Sequence, residues 1–201
     1  QLLPAPLVES HVLSDMVTYD GAGATDYRTE LLSVLRRHLT DAKNTMEQDF
    51  LVAHDGAVYV GQHARCIDSL LTLLRNEASK ILPQTSDIAV IAVGGYGRGE
   101  MAPFSDIDVM FLMPAKTIKK HEAAIQFMLY MLWDLGLKIG HSTRSIAEAI
   151  AAGRDDQTVM TSFLEMRLVC GDVNLWEELS KSLRREIAKN KPLVFVEKKL
   201  V

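Results

Sequence analysis

Two short apolar runs, residues 88–93 and 107–113, bracket the segment Gly94-Gly95-Tyr96-Gly97-Arg98-Gly99-Glu100-Met101-Ala102-Pro103-Phe104-Ser105-Asp106. Runs of this length and β-branched content read as buried strands. One therefore ends in a glycine-rich turn and the next opens with two acids, Asp106 and Asp108. Side chains on a strand alternate between faces. The two carboxylates thus leave one side, while Ile107 and Val109 leave the other. Aspartate disfavours strands, so two of them at the mouth of an apolar strand call for a compensating partner. Four glycines in six residues exceed what a turn needs and suit close approach of backbone to a ligand.

These parts point to one chemistry. Adjacent carboxylates repel unless a cation joins them, and hard divalent cations take carboxylate oxygens together with substrate phosphates. Backbone N–H groups of a glycine turn suit an anion. Together they are the parts that hold a metal–triphosphate complex. A dinucleotide-binding glycine fingerprint does not fit, because Pro103 and a second strand follow, with no helical pattern. A Walker loop does not fit either, for want of Gly-Lys-Ser/Thr.

Around this centre the pattern is helical. Leu31, Leu35, Leu39, Ala42, Met46 and Phe50 recur at helical spacing from Tyr27 until Asp55-Gly56 breaks the run. Ile67, Leu70, Leu71, Leu74, Ala78 and Ile81 stripe a second helix closed by Pro83. A third is expected over 117–135, burying Ile125, Met128, Leu129 and Leu132 and ending at Gly136. Residues 137–142 read as a third strand. A short helix over 145–152 ends at Gly153. Asp155 or Asp156 caps another that runs to Cys170 and stops at Gly171. Leu175, Leu179, Leu183 and Ile187 stripe the last. The order predicts an α+β fold, a small sheet covered by helices. Residues 1–26 read as a loosely ordered leader, 27–84 as N-terminal helices, 85–144 as the core, and 145–201 as a C-terminal helical segment cut before its partner.

With 201 residues and net charge −4, no basic patch dominates, and no DNA or RNA partner is expected. No stretch reaches the roughly 18 apolar residues of a membrane span. Cys66 and Cys170 lie in apolar helical patterns outside any Cys-x-x-Cys or Cys/His cluster, which fits a reducing cytoplasm. The chain starts at Gln1 without an initiator Met and reads as a piece of something longer.

Strand, Gly-Gly, about eleven residues and Asp-hydrophobic-Asp on a second strand resemble the polymerase-β-type nucleotidyltransferase superfamily, with Gly95 where Ser is usual. The longer run Gly-Gly-Tyr-Gly-Arg-Gly-Glu…Pro-Phe-Ser-Asp-Ile-Asp is similar to one branch, the bacterial PII uridylyltransferase/uridylyl-removing enzymes. That likeness continues through residues 132–144, 161–168 and 171–172. It implies a polymerase-β-like domain with a small mixed sheet. It also implies transfer of UMP from UTP to a tyrosine of the PII nitrogen-regulatory protein, releasing pyrophosphate. Asp106 and Asp108 would then be catalytic and ligate Mg²⁺, with Gly94 and Gly95 meeting the triphosphate.

Arg98 is a candidate for the leaving pyrophosphate or a solvated turn residue, and Ser105 a turn cap or phosphate contact. The third strand carries no acid. His141 stands there as a candidate base or phosphate contact, beside the plainer reading of a structural histidine. Arg144 and Arg167 are candidate UTP contacts or pins between helices, with Arg167 placed on one helix with Glu165. Relatives of this branch add a phosphohydrolase domain and glutamine-sensing domains, so neither activity is expected of this stretch. The alternatives are a related nucleotidyltransferase with another acceptor, or an incomplete module that binds nucleotide without turnover.

Overall fold

The computed structural model describes residues 24–82 and 87–189, so the expected leader up to residue 23, the helix stop at Pro83 and the last twelve residues lie outside it. Helix α1 (Ala24–Ala53) and helix α2 (Gly56–Ile81) form a hairpin. Its turn is set by Asp55, whose carboxylate accepts from Ala57 and Val58 N–H at 3.0 and 3.1 Å. That satisfies two of the donors a helix start leaves open. Strand β1 (Ala89–Ala92) leads to a one-turn helix, α3 (Gly94–Gly97), and β2 (Ile107–Leu112) follows. A 3₁₀ turn and α4 (Ile118–Asp134) cross over to β3 (Ile139–Arg144). Then come α5 (Ile146–Asp155), α6 (Gln157–Leu164), β4 (Arg167–Gly171) and α7 (Val173–Lys189).

The sheet order is β3-β2-β1-β4. β1 pairs antiparallel with both β2 and β4, whereas β2 and β3 run parallel, so the sheet is mixed as the resemblance implies. Alternation sorts the strands into two cores. Val90, Ala92, Ile107, Val109 and Phe111 face α1, α2 and α4, packing with Leu35, Leu71 and Met128. Ala89, Ile91, Met110 and Leu112 face the other way, against Ala149, Met160, Phe163 and Leu183 of α5 to α7. Every residue of β1 is buried, which is why it reads as an unbroken apolar run.

Four expectations need correction. The segment taken as one helix from 156 to Cys170 is α6 followed by β4. The four-residue spacing of Leu164 and Leu168 mimicked a helix, but residues 167–171 are half-buried and add an edge strand to β1. Cys170 is therefore on a strand, and Glu165 and Arg167 share no helix. Gly153 does not end α5 but sits inside it, where a Cβ would come within 3.0 Å of Met160 Cε. The glycine admits α6 to close contact. Finally, β3 occupies 139–144, two residues later than read, and the glycine turn is a turn of helix.

Candidate active site

Helix α3 is closed by the Gly97 N–H donating to Val93 C=O at 3.1 Å and Arg98 N–H to Gly94 C=O at 3.3 Å. Its N-cap, Val93, offers no side-chain acceptor. The N–H groups of Gly94, Gly95 and Tyr96 therefore have no acceptor within the helix. Gly94 has φ +57°, a left-handed conformation that lets the chain swing from β1 into the turn. Gly97 is required by close packing, since a Cβ there would overlap the Glu165 carbonyl at the end of α6.

Asp108 stands opposite Gly140 in the parallel register of β2 and β3. A Cβ on Gly140 would overlap the Asp108 carboxylate, and one on Gly94 would come within 3.7 Å of Asp108 Oδ2. Gly140 thus makes the space in which this carboxylate sits, and Gly94 lies in ordinary contact range of it. Burial, and then the charge of Asp106, push the Asp108 carboxyl above its ordinary range. The two acids accordingly share one neighbourhood, as alternation requires. Neither has a side-chain hydrogen bond or ion pair among the described residues. A half-buried carboxylate beside a second one, with no cation from the protein, is costly unless a ligand supplies the charge.

The turn is held from behind by three residues that sequence reading did not assemble. Arg167 on β4 donates both Nη1 and Nη2 to Asp68 of α2, each at 2.8 Å. The Tyr96 hydroxyl donates to the same carboxylate at 2.6 Å, and the guanidinium lies 5.1 Å from the Tyr96 ring centroid. Burial first, then the Asp68 charge, hold the Tyr96 phenol well above its usual range, so it remains a donor. A bidentate pair of this kind fixes geometry as well as energy. The available signal was Asp68 itself, a carboxylate placed between the apolar positions Ile67 and Leu70 of α2.

The remaining candidates divide. The Arg98 Nη1 pairs with Glu165 at 2.6 Å, and its Nε lies 3.6 Å from Glu100, at the exit of the turn. The Ser105 hydroxyl donates to the Ala102 carbonyl at 2.8 Å, which is the turn-capping role. His141 registers with Val109, and so leaves the face opposite to Asp108. It is exposed and meets the Trp133 ring edge-on at 6.1 Å, on the α4 side. Arg144 registers with Leu112, four residues along β2 from Asp108, which places it about 13 Å away along the sheet. It lies beside Glu148 at the start of α5. The structure therefore gathers Gly94, Gly95, Arg98, Ser105, Asp106 and Asp108 at one end of the sheet, and leaves His141 and Arg144 elsewhere.

Hard oxygen donors in a pair fit a magnesium-type cation, which is commonly held by one or two carboxylates and completed by substrate phosphates and water. Among the described residues no group of three or more His, Cys, Asp or Glu forms a closed protein cage. Two carboxylates alone would leave a cation of this type open to substrate phosphates and water.

Residues 71–194 match the family model of the nucleotidyltransferase domain. The bifunctional uridylyltransferase/uridylyl-removing enzyme of Rhodospirillum rubrum is 36% identical over 207 residues, covering 98% of this chain and 22% of that protein. The enzyme of the same name from Rhodopseudomonas palustris is 36% identical over 98% of this chain and 21% of its own length. That from Ruegeria pomeroyi is 50% identical over 117 residues, 58% of this chain and 13% of its own length. The chain therefore spans about a fifth of the length of the first two relatives.

Proposed function

The chain belongs to the nucleotidyltransferase domain family, and on that premise we propose that it transfers a uridylyl group from UTP to a tyrosine hydroxyl of the PII nitrogen-regulatory protein, releasing pyrophosphate. Support for the branch comes from the names of the relatives and from the long run of residues 94–108. The observation that carries the reaction class is the uncompensated Asp106/Asp108 pair set against the open N–H groups of α3.

In this reading Gly94 and Gly95 present main-chain N–H groups to the triphosphate with no Cβ in the way. Asp106 and Asp108 hold Mg²⁺. When bound there, the cation neutralises phosphate charge and lowers the pKa of the incoming hydroxyl. Arg98 leaves Glu165 to meet charge developing on the departing pyrophosphate, an exchange that a partly exposed ion pair makes cheap. Asp68, Arg167 and Tyr96 keep the turn in place, so that attack and leaving groups line up without further ordering. Both cysteines are free thiols, in keeping with a cytoplasmic setting. No described helix is long and apolar enough to cross a membrane.

Labelled UTP, Mg²⁺ and purified PII test the proposal directly. Label should pass to PII with the wild-type chain and fall at least about a hundredfold with Asp106→Asn, since the cation contributes several kcal/mol to such steps. Equal labelling by both proteins would remove Asp106 from the chemistry. Transfer to a different acceptor, with the same dependence on Asp106, would move the chain to another branch of the family.

A further inference from the structure

A cavity of about 340 Å³ lies between the α1–α2 hairpin, the loop entering β2, and the turn after α4. Of the residues gathered at the candidate active site only Ser105 lines it, and no role given above to Asp106, Asp108 or the α3 N–H groups involves it. Ile107 stands between the two acids in sequence but turns to the opposite face, where its side chain lines this cavity. The floor is apolar, formed with Leu39, Met46, Ile67, Met101 and Leu137.

The charge around it is one-sided. Lys43 and Lys138 line the mouth and His63 a wall, yet among the described residues no Asp or Glu lines the cavity, in a chain where 26 acids outnumber 22 lysines and arginines. Burial pushes the Cys66 thiol up to about 11, so this wall residue adds no negative charge. Lys43 has an exposed partner outside, Glu47, at 3.7 Å, a pairing of little worth in water. The Lys138 ammonium has no ion pair among the described residues.

The roof is unusual too. Phe104 has φ +66° and is 82% exposed, with the Lys43 ammonium 5.5 Å from its ring centroid. A bulky residue in the left-handed region costs roughly 1–2 kcal/mol, and such strain concentrates at ligand clamps.

The geometry points to a second binding site, for a small amphipathic anion: an apolar body in the cavity with a single carboxylate-type head between Lys43 and Lys138. An apolar-walled pocket with few polar groups is what a small-molecule site requires. The lysines decide the sign of the head group. The roof residues Pro103, Phe104 and Ser105 run directly into Asp106, so an occupant touches the segment that positions the acids. The inference does not rest on uridylyl transfer; a chain that binds such an anion and transfers nothing retains it.

Methionine methyls give a local readout, because Met46 and Met101 line the cavity while Met128 and Met160 lie in the two cores. In ¹³C-methyl spectra of the whole chain, octanoate should shift Met46 and Met101 saturably and leave Met128 and Met160 unmoved. It should bind roughly five- to tenfold more tightly than octanol, the value of a solvated charge pair or two. That preference should vanish in Lys43→Ala/Lys138→Ala, whose unchanged Met128 and Met160 signals report an intact fold. No shift at Met46 and Met101, or equal binding of octanol, overturns the inference. So does displacement of octanoate by Mg²⁺–UTP at the same methyls, since the cavity would then be the nucleoside end of the transfer site.

Discussion

The two sides of β2 follow opposite rules. On one, Asp106 and Asp108 stand at the open end of the sheet, with Gly140 against Asp108 and no cation from the described residues, before Met110 and Leu112 enter the second core. On the other, Ile107 and Val109 enter a packed apolar layer, edged by a cavity whose mouth carries lysines. One residue step separates them. A site of uncompensated charge is tolerable here because the reverse face of the same strand is buried, so packing holds the acids where repulsion alone would part them. The difference teaches that the acid pair is pre-organised by what lies behind it, at a cost in stability that a ligand removes.

Filling the space beside Asp108 should break the contrast most severely. Gly140→Ala places a methyl where the carboxylate now lies, and transfer should drop by about a hundredfold, as for other displacements near 1 Å. Thermal denaturation should show a loss of roughly 1–3 kcal/mol from overpacking. Near-normal rates would mean that Asp108 acts from another position.

Arg167→Ala removes the brace behind the turn. With the pair 30% and 26% exposed, the stability loss should be discounted to roughly 1–2 kcal/mol. The activity loss should appear mainly as weaker UTP binding, with partial rescue by Arg167→Lys. An unchanged KM with lowered kcat would instead place Arg167 at the reacting atoms.

Titration without metal probes the charged face itself. The Asp108 carboxyl is raised by burial and by Asp106, so the folded state holds its proton after the unfolded chain has lost it. Stability should then fall as pH rises from the ordinary carboxylate range through the raised value. Asp108→Asn should remove that slope and melt higher than wild type in chelator at neutral pH. Mg²⁺ added together with UTP should raise wild-type stability by mass action and raise the variant's less. The smallest effect belongs to the far face: His141→Ala should change the transfer rate less than about threefold, within the range of surface substitutions. A larger loss would require β3 to turn its other side to the nucleotide.

Much of this was legible in the residues. The β1 and β2 runs, the glycine turn and the parity of Asp106 and Asp108 follow from period-2 alternation, five helices follow from apolar spacing, and Asp156 is one of the two caps read for α6. Less legible was β4, because a half-buried edge strand needs only half an apolar pattern, and Leu164 and Leu168 supplied a false helical interval. The Asp68–Arg167–Tyr96 brace joins positions 99 and 28 residues apart, a distance at which no local pattern operates. His141 looked like a base only while the pairing of β3 was unknown; register with Val109 turned it away.

Local sequence thus determined which side chains share a strand face, because backbone geometry repeats every two residues whatever surrounds it. What each face meets was decided in three dimensions. Only the parallel register set Gly140 beside Asp108, and only the closing of α1 and α2 over Ile107 made a cavity. Those outcomes arise from packing among segments far apart in the chain, where shape and burial select one partner from many.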